Sequence, residues 1–187
     1  MSSQILNNRQ IDQLIKQGDI FLSPYDASKL QIAQYPLYPK IIWQIKDGIL
    51  VQVYSFDDQR LSFELKPKTY YLIDIAEIIK LPKGIVGRFI TSSNFIEKGI
   101  TLTSGKIEHP YGLNNEKVRF GIFNCLDSAT VIEKHERIAY IQLFDLRSED
   151  NLDYSLNDFD KRVYKRRIYE DADAPNYELD SDDEFDS

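Results

Sequence analysis

The chain has 187 residues, 42% of them hydrophobic and 12% aromatic, enough for one core-bearing domain with an extension. No run approaches the ~20 apolar residues of a membrane span, so no membrane partner is expected. The formal net charge of -7 is concentrated at one end: nine acidic and no basic residues lie between Glu170 and Ser187, leaving a body of 21 acidic and 23 basic residues, about +2.

The opening residues show no basic region followed by an apolar one, so no secretory leader is expected. A single cysteine, Cys125, excludes an internal disulfide and points to the cytoplasm or another reducing intracellular compartment. No basic residue adjoins it in sequence to activate the thiol, and it reads as structural. One cysteine and two histidines cannot supply the His/Cys/Cys set of zinc deaminases, and no metal ligand is assigned.

In chain order, the first element is a helix from about Asn8 to Gln17. Asn7 or Asn8 can cap it, Ile11, Leu14 and Ile15 form one apolar face, and Gly18 stops it. Asp19 to Tyr25 reads as a short strand ended by Pro24. Tyr35 to Pro39 cannot be a central strand, because Pro36 and Pro39 lack the N–H that a ladder needs. Lys40–Ile45 and Gly48–Tyr54 read as a hairpin turned at Asp47-Gly48. Strands follow at Leu61–Leu65, Thr69–Ile75, Ile85–Ile90, Val118–Phe123, Ala129–Ile132 and Arg137–Leu146. Many short strands with polar connections and almost no helix predict an all-β sandwich or barrel. The domain is expected over residues 1–150. The 151–187 extension is basic (Lys161, Arg162, Lys165, Arg166, Arg167), then acidic. It reads either as a solvated, disordered tail or as an arm for a protein partner.

Chemistry-bearing side chains gather between Leu81 and Gly112. A polar turn at Thr91-Ser92-Ser93-Asn94 follows one strand. After Ile100 and Gly105, a loop carries Ile107, Glu108, His109, Pro110 and Tyr111. Such loops are where a sheet scaffold presents a ligand site. Ser92, Ser93 and Asn94 are either site residues or plain turn formers. Glu108 is either a site residue or a solvated loop charge, and Tyr111 either a site residue or barrel packing. His109 has no second ligand at metal spacing. His135, in the charged run around Glu133 to Arg137, is expected on the surface.

The order of these pieces resembles the dCTP deaminase/dUTPase superfamily, and its deaminase branch most closely, over roughly Leu6 to Leu146. The opening helix with Leu6, Arg9, Ile11, Leu14, Ile15 and Gly18 is similar to the family's first helix. Leu81 to Arg88 matches its L-P-x-x-L-V-G-R strand, and Arg137 to Leu146 its R-I-A-Q-L strand. The resemblance implies a distorted jelly-roll barrel of the dUTPase type with a short N-terminal helix. It also implies homotrimers with pyrimidine deoxynucleotide sites between subunits, and Mg²⁺ accompanying a triphosphate in active members.

The family's chemical positions are matched less well than its packing positions. Its proton-shuttling glutamate falls on Gly121, which has no proton to move. Its phosphate-holding Arg-Ser-Ser-Leu-Ala-Arg run becomes Ser92 to Glu97, losing both guanidinium groups and gaining a carboxylate. Pro36 stands where the early segment has an acidic residue. The dUTPase-branch motif G-x-I-D-x-x-Y-x-G is similar to Gly105 to Gly112. There the resemblance makes Glu108 the base, with Gly105, Ile107 and Tyr111 holding the nucleotide beside Ser92, Ser93 and Asn94. The Gly-rich closing arm has no counterpart, since no glycine follows Leu146. Two function classes result: a catalytically degenerate deoxynucleotide-binding or trimeric interaction module, or an active divergent dUTP pyrophosphatase or dCTP deaminase.

Overall fold

The chain enters through a two-residue strand, β1 (Gln4–Ile5), and turns into helix α1 (Asn8–Gln17). Asn7 accepts from the Gln10 backbone N–H at 3.1 Å, and the Gln10 side chain accepts from the Asn7 N–H at 3.0 Å. This reciprocal cap satisfies two otherwise orphaned donors. Gly18 closes the helix in the left-handed region at φ 82°. Ile11 is buried, and Leu14 and Ile15 pack against the core, as the spacing predicts. The computed structural model describes residues 4–103, 105–112 and 117–147. The expected domain boundary and the 151–187 extension lie outside the described residues.

The strands that follow are β2 (Phe21–Ser23), β3 (Tyr35–Leu37), β4 (Pro39–Lys46), β5 (Ile49–Ser55), β6 (Ser62–Leu65) and β7 (Tyr70–Ile75). Next come β8 (Ile78–Lys80), β9 (Ile85–Thr91), the short helix α2 (Ser93–Glu97), β10 (Ile100–Thr103) and β11 (Lys106–Glu108). The last three are β12 (Arg119–Asn124), β13 (Thr130–Glu133) and β14 (Ala139–Asp145). One five-stranded antiparallel sheet runs β1-β14-β9-β11, with β3 also pairing β14. A second runs β10-β12-β7-β4-β5. The pairs β13-β6 and β2-β8 close the ends. This is an all-β, two-layered jelly-roll architecture with a short N-terminal helix, as expected.

The two large sheets meet across a seam where Phe89 of β9 packs edge-on against Phe120 of β12, ring centroids 4.9 Å apart. Strand β14 alternates as a half-buried strand must: Ala139, Ile141 and Leu143 are buried, while Tyr140, Gln142 and Phe144 face the other way, partly covered. Gly87 of β9 is required here, because a Cβ would press into the side chains of Ile141 and Ile107. Asn124, fully buried at the end of β12, ties the small sheet to the large one. Its Nδ2 reaches the carbonyls of Leu65, Lys66 and Ser128 at 3.1, 3.2 and 2.9 Å, and its Oδ1 accepts from Leu126 N–H at 3.0 Å.

Some elements depart from expectation. The Asp19–Tyr25 strand shortens to β2. Tyr35–Leu37 is a strand, but it holds an edge position beside Ala139–Ile141, which Pro36 tolerates. Residues Lys106–Glu108, expected in a loop, form β11 because the N-terminal half of β9 offers a free edge to pair with. The expected polar turn after Thr91 winds into α2, capped by Ser92. Cys125 is exposed just past β12, so its thiol is no part of the core.

Candidate functional site

The residues singled out from the sequence fall into two groups at opposite ends of β9. At its C-terminal end, Ser92 is buried and its Oγ accepts from Phe95 N–H at 3.3 Å, capping α2. That is the turn-forming role, and the hydroxyl proton is left to donate elsewhere. Asn94 donates through Nδ2 to Glu136 Oε1 at 2.6 Å. Lys98 donates to Glu136 Oε2 at 2.8 Å and to the Val131 carbonyl at 2.9 Å, and Glu133 N–H adds a bond to Oε2 at 3.1 Å. Glu136 is thus a nearly buried carboxylate held by an ammonium, an amide and a backbone donor. Sequence reasoning missed it, because a glutamate within a charged run looks solvated. His135, its neighbour, is exposed as expected.

These groups line an open cleft of about 530 Å³, together with exposed Ser93, Glu97 and Arg137 and partly buried Tyr140. Its charged lining is Glu97, Glu133 and Glu136 against Lys98 and Arg137, with Lys98 already engaged by Glu136. Within one copy of the chain the cleft therefore carries excess negative charge. Arg137 is the exposed guanidinium that could meet an anion there.

At the other end of β9, Ile107 is buried against Gly87 and the Gly105 carbonyl accepts from Phe89 N–H at 3.2 Å. Glu108 pairs across β9 with Val86; its carboxylate is half exposed and bridged to Lys106 at 2.8 Å. Tyr111 packs partly into the core and donates its hydroxyl to the Lys117 carbonyl at 2.8 Å, which is the barrel-packing role. Val86 and Thr91 mark the two ends of the strand, roughly 17 Å apart. One copy of the chain accordingly does not bring Glu108 and Tyr111 together with Ser92, Ser93 and Asn94.

Gly121 lies on the face of β12 turned away from buried Phe120 and Ile122. A Cβ there would collide with the Tyr70 hydroxyl and the Thr103 hydroxyl. A side chain at this position would have to displace these two hydroxyls, each at the outer end of an exposed side chain. Nearby on the same sheet, Asp74 is buried and holds Arg119 through two hydrogen bonds, while Trp43 Nε1 donates to it at 2.8 Å. Among the described residues, no group of three or more His, Cys, Asp or Glu side chains is placed to hold a metal ion.

The two-layered antiparallel barrel has a fold similar to that of a dCTP deaminase. The structure of 2'-deoxycytidine 5'-triphosphate deaminase from Agrobacterium tumefaciens matches with a TM-score of 0.61 at 14% identity, over 78% of this chain and 49% of that one. The chain therefore spans about half the length of that enzyme. EIAV dUTPase aligns with a TM-score of 0.42 at 13% identity, over 67% of this chain and 97% of the other. A Staphylococcus bacteriophage 80alpha dUTPase bound to dUpNHpp aligns at 0.46 and 16% identity, over 67% and 82% of the two chains. No protein-family model matches the sequence, and no curated protein does. The family likeness read from the sequence holds at the level of fold.

Proposed function

We propose that this chain is a catalytically degenerate relative of the dCTP deaminases and dUTPases that serves as a deoxynucleotide-binding or trimeric interaction module. The observation that carries this reading is Gly121. It falls where the family's proton-shuttling glutamate is expected, and Tyr70 and Thr103 occupy the room a side chain would need. A positioned general acid/base is worth roughly 10²–10⁴-fold in rate, and glycine supplies none of it. The cleft at Ser92 adds to this, since Glu97 stands where the resemblance expects a guanidinium and, with Glu133 beside it in the cleft, opposes a polyphosphate.

Assembly enters the same reading. The two groups of candidate residues lie at opposite ends of β9, so a site that used both would draw Glu108, Tyr111, Ile107 and Gly105 from one copy and Ser92, Ser93 and Asn94 from another. A homotrimer provides that geometry. Any Mg²⁺ would arrive with the triphosphate and be held chiefly by its oxygens. The acidic extension is proposed as an arm for a protein partner, and a reducing intracellular compartment suits the single exposed thiol.

The second reading, an active divergent dUTP pyrophosphatase or dCTP deaminase, draws on Glu108. Its carboxylate is solvent-accessible on a rigid strand one turn before Tyr111, where a base for water would stand. Incubating the protein with dCTP or dUTP and Mg²⁺, while following uracil products, pyrophosphate and melting temperature, separates the two. The module reading expects a nucleotide-dependent rise in melting temperature without turnover. Turnover lost in Glu108→Gln would establish the enzyme instead.

A further inference from the structure

A second cavity, of about 240 Å³, lies on the far side of the His135 turn from the Ser92 cleft. Tyr25, Tyr35, Tyr38 and Phe56 give it aromatic walls, with the Tyr25 and Tyr35 rings 5.6 Å apart. Glu77, 2% exposed, also lines it. Glu77 Oε2 accepts from Tyr38 N–H at 3.1 Å. Among the described residues no ammonium or guanidinium pairs with it directly; Lys29 acts on it only from a distance. A buried carboxyl without an ion pair is costly, and each of its oxygens can accept more than one hydrogen bond. The fold keeps such a group where a ring-sized cavity meets it.

The rim carries the opposite charge. Exposed Lys29 and Lys40 border the opening, and Lys29 Nζ lies over the Tyr38 ring, 4.6 Å from its centroid. Asp26 also borders it, but its carboxylate accepts from Ser28 N–H and Ser28 Oγ. A cationic ligand is disfavoured, since three lysines line the cavity, Lys134 bridged to Asp58, Lys40 at the rim and Lys29 over the Tyr38 face. A hydrocarbon would leave the remaining acceptor capacity of Glu77 unused. A flat heterocycle stacks on aromatic walls irrespective of its identity, and an edge with two adjacent N–H donors satisfies a carboxylate.

We propose that this pocket is a ligand site separate from the Ser92 cleft, taking a planar heterocycle with two neighbouring N–H donors that carries an anionic group, the chemistry of a guanine nucleotide. The base fills the cavity against Tyr25 and Tyr35, its donor edge meets Glu77, and the phosphate stays outside beside Lys29 and Lys40.

Calorimetric titration of the full-length protein with GMP, IMP and guanosine tests this. GMP is expected to bind, and IMP, which lacks one of the two donors, to bind at least ~10-fold more weakly. Glu77→Gln should weaken GMP by a similar factor. Lys29→Ala, at an exposed position, should weaken GMP while leaving guanosine unchanged. If Glu77→Gln does not fold, the GMP–IMP comparison and Lys29→Ala still decide. No GMP binding at millimolar concentration, equal affinity for GMP and IMP, or GMP binding lost in Arg137→Ala but kept in Lys29→Ala would each overturn the proposal.

Discussion

Burial pushes the Glu77 carboxyl up to about 7, well above the usual carboxylate range, outweighing the Tyr38 N–H and its own backbone N–H, which favour the charge. The folded state thus holds this proton more tightly than the unfolded chain does. Its contribution is complete below pH 4.5 and is lost as pH rises through about 7. Chemical denaturation between these limits should show a decline of up to about 3 kcal/mol that Glu77→Gln removes. Asn124 makes the opposite kind of buried polar site, with every polar atom answered. Asn124→Ala leaves the Leu65, Lys66 and Ser128 carbonyls short of a donor. It should destabilise the fold by about 2–3 kcal/mol in urea titrations, with the slope unchanged. Neither burial can be seen in the sequence, because a carboxylate or amide is buried by strands distant in the chain. Glu136 escaped notice for the same reason: Asn94 and Lys98 lie some forty residues before it.

Elements were legible where local chemistry decides them. Helix α1 announces itself through Asn7, the Ile11-Leu14-Ile15 face and Gly18, and all three act as their residue types dictate. The Asp47-Gly48 turn is equally plain, both residues taking positive φ, 52° and 80°, as a two-residue hairpin requires. Strands β1, β8 and β11 were not legible, since two or three residues carry no period; β1 and β11 form on the edges of the longer β14 and β9, and β8 pairs with the equally short β2. Helix α2 is a borderline case: the sequence leaves Ser92 open between site residue and turn former, and the structure makes it the helix cap. Ser92→Ala should cost about 1 kcal/mol through the lost cap, measurable as a lower melting temperature. Lys98→Ala should cost more, about 2 kcal/mol, since Glu136 stays nearly buried without its cation. At β12, Gly121→Glu must displace Tyr70 and Thr103 and should destabilise by about 1–3 kcal/mol without restoring deamination.

For the whole molecule, the proposed reading is of a barrel that keeps its packing while Gly121 and Glu97 stand where dCTP deaminases are expected to carry chemistry. Gly87, Phe89, Phe120 and Asn124 each have a structural task visible in the seam or at the sheet ends. Gly121, Glu97 and Pro36 lack the side chains that chemistry would ask of them. The fold was readable from the order of motifs; the candidate site was readable only as two groups of residues, because the sequence does not show that Glu108 and Ser92 stand toward opposite ends of β9. Light scattering should report a trimer across a wide concentration range, and a monomer throughout would remove the geometry that unites Glu108 with Ser92. The most direct test of the central claim is the rate of dCTP deamination by the unaltered protein. Formation of uracil nucleotide at no more than a trace of an active family member's rate is the predicted result, and robust uracil formation from dCTP would contradict it, showing that another residue performs the work expected at Gly121.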